Sequence, residues 1–214
     1  MPPMGTVNLH GSLLPQYRGA APVNWAVING EKETGVTTFK LKHEIDTGNI
    51  LLQEKIPIRD DETAGELHDR MKEIGADLLV RTVDGIISKK IAEIPQPGPG
   101  AGSEGIEGAL RHAPKLTTGT SKIIWERPVD EVYDLVRGLS PYPGAFTVLN
   151  GKTLKIYRAK KEKTIPGVPV GEYETDNRTF LKFACSGGYL FAEEIQIEGK
   201  KKMGIAEFLR GFRS

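Results

Sequence analysis

Asn8 and His10 stand two residues apart in Thr6-Val7-Asn8-Leu9-His10, and on an extended strand that spacing turns both side chains to one face. The loop Gly11-Ser12-Leu13-Leu14-Pro15-Gln16-Tyr17-Arg18-Gly19 follows at the strand's C-terminal end, where open α/β sheets hold their ligands. Further on, Ile45-Asp46-Thr47-Gly48 sets a carboxylate in a tight loop between two strand-like stretches. An amide, an imidazole and a carboxylate can together run an acyl transfer. The amide N–H of Asn8 and a protonated His10 would donate to an oxyanion. Asp46 would hold the imidazole cationic or move the proton of an attacking amine. No nucleophilic serine or cysteine is needed when the acceptor is itself an amine. Taken alone, an Asn-x-His pair on a strand is more often a structural hydrogen-bonding pair, so the weight falls on its surroundings.

Those residues need a scaffold, and 214 residues suit two small domains better than one large one. The segment 95–103 holds three prolines and three glycines and disfavours helix and sheet alike. The expected division is an α/β part over residues 1–94, a linker over 95–110 and a second domain over 111–214. In the front part, strands are expected at 6–10, 35–41 and 50–58. A helix begins at Pro22 and stops at Gly30. Thr63 with Glu66 signs the start of a second helix, whose apolar positions Leu67, Met71, Ile74, Leu78, Val83, Ile86 and Ile87 recur at mostly helical spacing. With few strands and no glycine-rich first turn, this part reads as half of a nucleotide-binding-type fold whose parallel sheet lacks neighbours. In the back part, a helix is expected from Pro128 to Gly138. Asn150-Gly151 then signals a hairpin. About five strands in some seventy residues point to a small closed OB-like barrel, with a short terminal helix within 203–212.

Composition excludes several classes. Hydrophobic residues make up 38% and charged residues 27%, which excludes a collagen-like or wholly disordered chain. No apolar run approaches the roughly 18–20 residues that a membrane-spanning helix needs, and no secretory signal is read at the N-terminus. One cysteine, Cys185, fits a reducing cytosol, and a cytoplasmic, membrane-free protein is expected. The net charge of +1 hides an asymmetry: residues 1–110 hold 11 basic and 16 acidic residues, and residues 111–214 hold 18 and 12. A basic back half suggests an anionic partner, nucleic acid being the commonest.

Asn8 to Pro22 resembles the signature of the folate-dependent formyltransferases. Gly35-Val36-Thr37 followed by Glu44-Ile45-Asp46-Thr47-Gly48 resembles that family's second motif, at its usual separation. His112-Ala113-Pro114-Lys115-Leu116-Thr117, Ile124-Trp125 and Arg137 to Phe146 resemble the C-terminal domain of its tRNA-acting members. The resemblance is strongest at 5–58 and 111–158 and weak from 160 to 200. It implies transfer of a formyl group from 10-formyltetrahydrofolate, as co-substrate, to the α-amino group of initiator methionyl-tRNA. It puts Asn8, His10 and Asp46 on the catalytic positions and Ser12, Leu13, Leu14 and Pro15 on the folate-contacting loop. The implied fold is the C-terminal portion of a Rossmann-like formyltransferase domain followed by an OB-like barrel. The family's catalytic domain begins upstream of the residue numbered Met1 here, so weak or no folate binding is expected of this polypeptide alone.

Arg18 would meet a phosphate of the tRNA acceptor end or shape the loop through a salt bridge. Lys160, Lys161, Lys200, Lys201 and Lys202 could track RNA phosphates or serve as solvated turns. No two histidines have metal-ligand spacing, so no metal is expected. His43, His68 and His112 read as exposed or structural, and Cys185 as a small buried hydrophobe. Two other readings stay open: formyl transfer to an amino-sugar nucleotide, and a non-catalytic tRNA-binding module.

Overall fold

A computed structural model describes Pro2, residues 4–97 and residues 109–212. Most of the expected linker lies outside the described residues. The chain divides into two compact units. The first comprises Met1–Ala26, Glu31–Glu62 and Glu66–Lys115; the second comprises Val27–Gly30, Thr63–Gly65 and Leu116–Ser214.

The first unit is built on β1 (Val7–His10), β3 (Glu33–Lys40) and β4 (Ile50–Pro57), in the order β1-β3-β4. A two-residue β2 (Arg18–Gly19) pairs in parallel with β5 (His112–Ala113), and α1 (Pro22–Ile28) follows β2. Proline at the first position of α1 costs no hydrogen bond, because that N–H has no partner within a helix. The expected parallel arrangement is not found around β1: β1 runs antiparallel to β3, and β3 antiparallel to β4. As the middle strand, β3 is buried from Thr34 to Phe39 on both faces, whereas much of β4 alternates between covered and exposed.

The helix α2 (Ala64–Ile87) covers this sheet. Its buried positions Leu67, Met71, Gly75, Leu78 and Thr82 recur every three or four residues and define one face. Gly75 lies so close to Leu9 that a Cβ there would stand 2.8 Å from the leucine's methyl carbon. Thr82 Oγ1 and Thr38 Oγ1 share a hydrogen bond of 2.8 Å between helix and sheet. Val83 and Ile87, read from the sequence as part of the apolar repeat, point away from that face and are exposed, because 100° per residue carries them round the helix. At the turn before α2, buried Glu62 accepts two bonds from Arg70, of 2.7 and 2.9 Å.

The second unit carries α3 (Thr118–Ser121), capped by Thr117, and α4 (Val129–Gly138). Its curled, antiparallel sheet is formed by β6 (Ala145–Leu149), β7 (Lys152–Lys163), β8 (Tyr173–Thr175), β9 (Leu181–Cys185), β10 (Gly188–Ile197) and β11 (Met203–Gly204), and α5 (Ile205–Gly211) follows. The strand order is β6-β7-β10-β9-β8, with β11 on β10, an OB-like arrangement. Among the described residues no ladder joins β8 back to β6, so the sheet curls without the full closure expected. Val132, Val136 and Leu139 pack with Leu154, Ile156, Phe183, Leu190 and Ile195 in one core. Trp125 stacks on Phe183 at 4.6 Å, with the rings 11° apart, and its indole N–H donates to Thr147 Oγ1 at 3.1 Å.

Candidate active site

The last residue of β1 is His10, buried at 6% exposure, while Asn8 on the same face is exposed. The imidazole is fixed by its two nitrogens. Nε2 lies 2.9 Å from the backbone oxygen of Tyr17. A carbonyl only accepts, so this nitrogen carries the hydrogen and Nδ1 is left to take or give a proton. Nδ1 faces Asp46 Oδ2 at 3.7 Å. Phe39 closes one side of the ring, edge to face at 6.4 Å.

Asp46 is placed by its loop rather than by a strand. Its φ is +56°, a left-handed conformation that aspartate tolerates better than most residues. Two residues later, a Cβ on Gly48 would fall 1.5 Å from Lys40 O, so the loop lies against the end of β3 where only glycine fits. Asp46 Oδ2 accepts the backbone N–H of Gly19 at 3.0 Å. The same oxygen thus faces both the imidazole and a backbone donor, and it can balance the charge of a protonated His10.

The folate-loop candidates divide. Ser12 and Leu14 are buried; Leu13 and Pro15 reach the surface. Ser12 Oγ donates to Gln16 O at 2.6 Å, closing the loop on itself. Thr37, opposite His10 in the β1–β3 register, anchors the loop to the sheet. Its hydroxyl donates to Ser12 O at 2.6 Å and accepts from Leu14 N at 3.1 Å and Gln53 Nε2 at 2.9 Å. Gln53 Nε2 also donates to Leu14 O at 2.9 Å. Leu13 lines a cavity of about 380 Å³ with Gln16, Tyr17, Glu31 and Arg111 among others; neither His10 nor Asp46 borders it.

Arg18 is engaged within its own unit. Its guanidinium donates to Gln96 Oε1 at 3.2 and 2.7 Å and to Pro97 O at 3.0 Å. Burial lowers its pKa, while Asp46 and Glu44 act the other way. Gln96 Nε2 in turn donates to Asp46 O at 3.0 Å and Gly48 O at 2.6 Å. Sequence reasoning missed Thr37, Gln53, Gln96 and the carbonyl of Tyr17. Thr37 and Tyr17 lay within stretches quoted for their motifs, but neither was singled out.

The lysine candidates belong to the second unit. Lys160 Nζ meets Glu193 at 2.6 Å. Lys161 meets Asp130 at 2.6 Å and sits 4.7 Å over the Tyr133 ring. Lys202 meets Glu194 at 2.8 Å and sits 4.8 Å over Tyr157. Lys200 and Lys201 are exposed in the turn between β10 and β11.

Comparison with known proteins identifies the family. A formyl transferase family model matches residues 1–83, and a model of the formyl transferase C-terminal domain matches residues 115–213. The chain belongs to the formyl transferase family. It is 49% identical to a methionyl-tRNA formyltransferase of Parabacteroides distasonis and 45% identical to that of Phocaeicola vulgatus, in both cases over 100% of this chain and 66% of the relative. The chain therefore spans about two thirds of the length of these curated relatives. Among solved structures, HypX from Aquifex aeolicus in complex with tetrahydrofolic acid shares the fold with a TM-score of 0.70 at 20% identity, over 95% of this chain and 34% of that one.

Proposed function

We propose that this chain carries the catalytic strand and the tRNA-side domain of an enzyme that formylates the α-amino group of initiator methionyl-tRNA in the cytoplasm. The observation that carries the reading is the pair of buried His10 and half-buried Asp46 at the end of β1, with Asn8 exposed on the same strand. Residues 1–94 serve as the partial catalytic domain, 95–110 as linker and 111–214 as the tRNA-binding domain.

10-Formyltetrahydrofolate supplies the one-carbon unit as co-substrate. The half-buried residues of the loop, Leu13 and Pro15, would meet it. Ser12 and Leu14 act from behind by fixing the loop to Gln16 O and Thr37. In the reaction a bond forms between the amine nitrogen and the formyl carbon. The bond from that carbon to the folate nitrogen breaks, and the amine's proton passes to the departing nitrogen. The Asn8 amide donates to the oxyanion that develops on the formyl oxygen. His10, held by Tyr17 O, presents Nδ1 for the proton, and Asp46 balances the imidazolium. On the second unit, Lys200 and Lys201 are ready to meet phosphates. Lys160, Lys161 and Lys202 would exchange carboxylates for them, an exchange made easy because exposed ion pairs are weak.

The test is formyl transfer to methionine on initiator tRNA. This chain is assayed beside a version extended upstream to the length of its relatives. The extended protein is expected to be active, and its Asp46→Asn and His10→Gln variants to lose about a hundredfold or more in kcat. This chain alone is expected to bind folate weakly or not at all. Inactivity of both wild-type forms would overturn the tRNA acceptor.

A further inference from the structure

We infer that Gln96 is a positioning residue for Asp46, an inference that rests on the catalytic reading of Asp46 above. The side-chain amide of glutamine offers two acceptor sites and two N–H donors. Here all four are used. Oε1 accepts both bonds from Arg18, and Nε2 donates to the carbonyls of Asp46 and Gly48. Guanidinium only donates and carbonyls only accept, so these partners fix which end of the amide is which.

Three hydrogen bonds and the chain link from Arg18 to Gly19 close a ring through the site. Asp46 Oδ2 accepts from Gly19 N; Gly19 is the neighbour of Arg18; Arg18 holds Gln96; and Gln96 returns to Asp46 O. The carboxylate is thereby set from two directions, through its own oxygen and through the carbonyl of its own peptide. The hold matters because Asp46 occupies the left-handed region, where a non-glycine residue persists only when its surroundings over-determine it. Gly48 secures the loop from the side of β3; Gln96 secures it from the other. A carboxylate 3.7 Å from the imidazole has little tolerance for drift, since a misplacement of about 1 Å is enough to lose on the order of a hundredfold in rate.

Two variants separate the arms. Gln96→Glu keeps the acceptor for Arg18 and loses the donors to Asp46 O and Gly48 O. Gln96→Met keeps the length and loses both. Amide hydrogen exchange of the 214-residue chain reads the Gly19 N–H, the group bound by Asp46, against amides within β3. Both variants are expected to exchange at Gly19 about tenfold faster with β3 unchanged. In the extended protein, kcat is expected to fall by about tenfold to a hundredfold, with KM for tRNA nearly constant. A Gln96→Glu variant that behaves as wild type would overturn the inference, because the Arg18 arm alone would then suffice. Loss of protection through β3 in both variants would also overturn it, in favour of a general scaffolding role. Should wild-type transfer be absent, the catalytic reading fails on its own, while exchange at Gly19 still decides whether Gln96 sets Asp46.

Discussion

Thr37 shows how much a single hydroxyl can organise. It serves Ser12 O, Leu14 N and Gln53 Nε2 from a fully buried position. Valine would fill the same space, strand Ser12 O and Leu14 N and leave Gln53 Nε2 only Leu14 O, and each buried unpaired group costs about 1–3 kcal/mol. Thr37→Val is expected to lower the unfolding free energy by roughly 2–4 kcal/mol in urea titration, with the m-value unchanged. Thr37→Ser should lose much less. The contrast with Asn8, His10 and Asp46 explains what was readable at this scale. Those three are candidates by chemical type and spacing, and the structure brings His10 and Asp46 to within 3.7 Å of one another. Thr37, Gln53 and Gln96 act through hydrogen bonds to distant backbone, and the Tyr17 carbonyl has no residue identity at all, so no linear pattern marks them.

Elements were legible where local chemistry decides them and less so where pairing does. Asn150-Gly151 sits at the β6–β7 turn with φ of +49° and +75°, the left-handed pair that this dipeptide favours. Pro22 opens α1, and buried positions recur along α2 as the periodicity requires, up to the point where Val83 and Ile87 turn outward. The direction of β1 against β3 was not legible, because a short strand carries the same alternation whichever way its neighbour runs. The Trp125–Phe183 stack was equally hidden: Trp125 lies in a turn, and its partner comes fifty-eight residues later. Trp125→Ala is expected to cost about 3–5 kcal/mol by thermal or urea unfolding. Trp125→Phe, which keeps a stacked ring and gives up the bond to Thr147 Oγ1, should cost about 1–2 kcal/mol.

For the whole molecule, charge is the quantity the sequence reports best and locates worst. The basic excess of the back half is real, yet much of it is met by carboxylates: Asp130 alone receives Lys161 and Lys163. Hydrogen bonds from those lysines hold Asp130 below the usual carboxylate range, and bonds from Thr179 and from the backbone N–H groups of Arg178 and Phe180 do the same for Asp176. A carboxylate whose folded-state pKa is depressed adds stability that is complete above its ordinary value near 4 and drains away as pH falls through the folded value. The second unit is expected to lose melting temperature steadily between about pH 5 and pH 2. The Asp130→Asn variant should show a shallower fall, measured by circular dichroism.

Cys185 lies at the end of β9 with no exposed surface, and burial pushes its thiol up to about 12. At neutral pH it is therefore both covered and uncharged, inert to thiol reagents while the strand is closed. With one cysteine in 214 residues, the chain carries its own clock for the opening of that strand. The rate at which a small disulfide reagent labels the native protein counts openings of β9. If the second unit opens only as a whole, that rate should climb with urea as steeply as global unfolding does, and Trp125→Ala should make the clock run faster by the same free energy it removes from the fold.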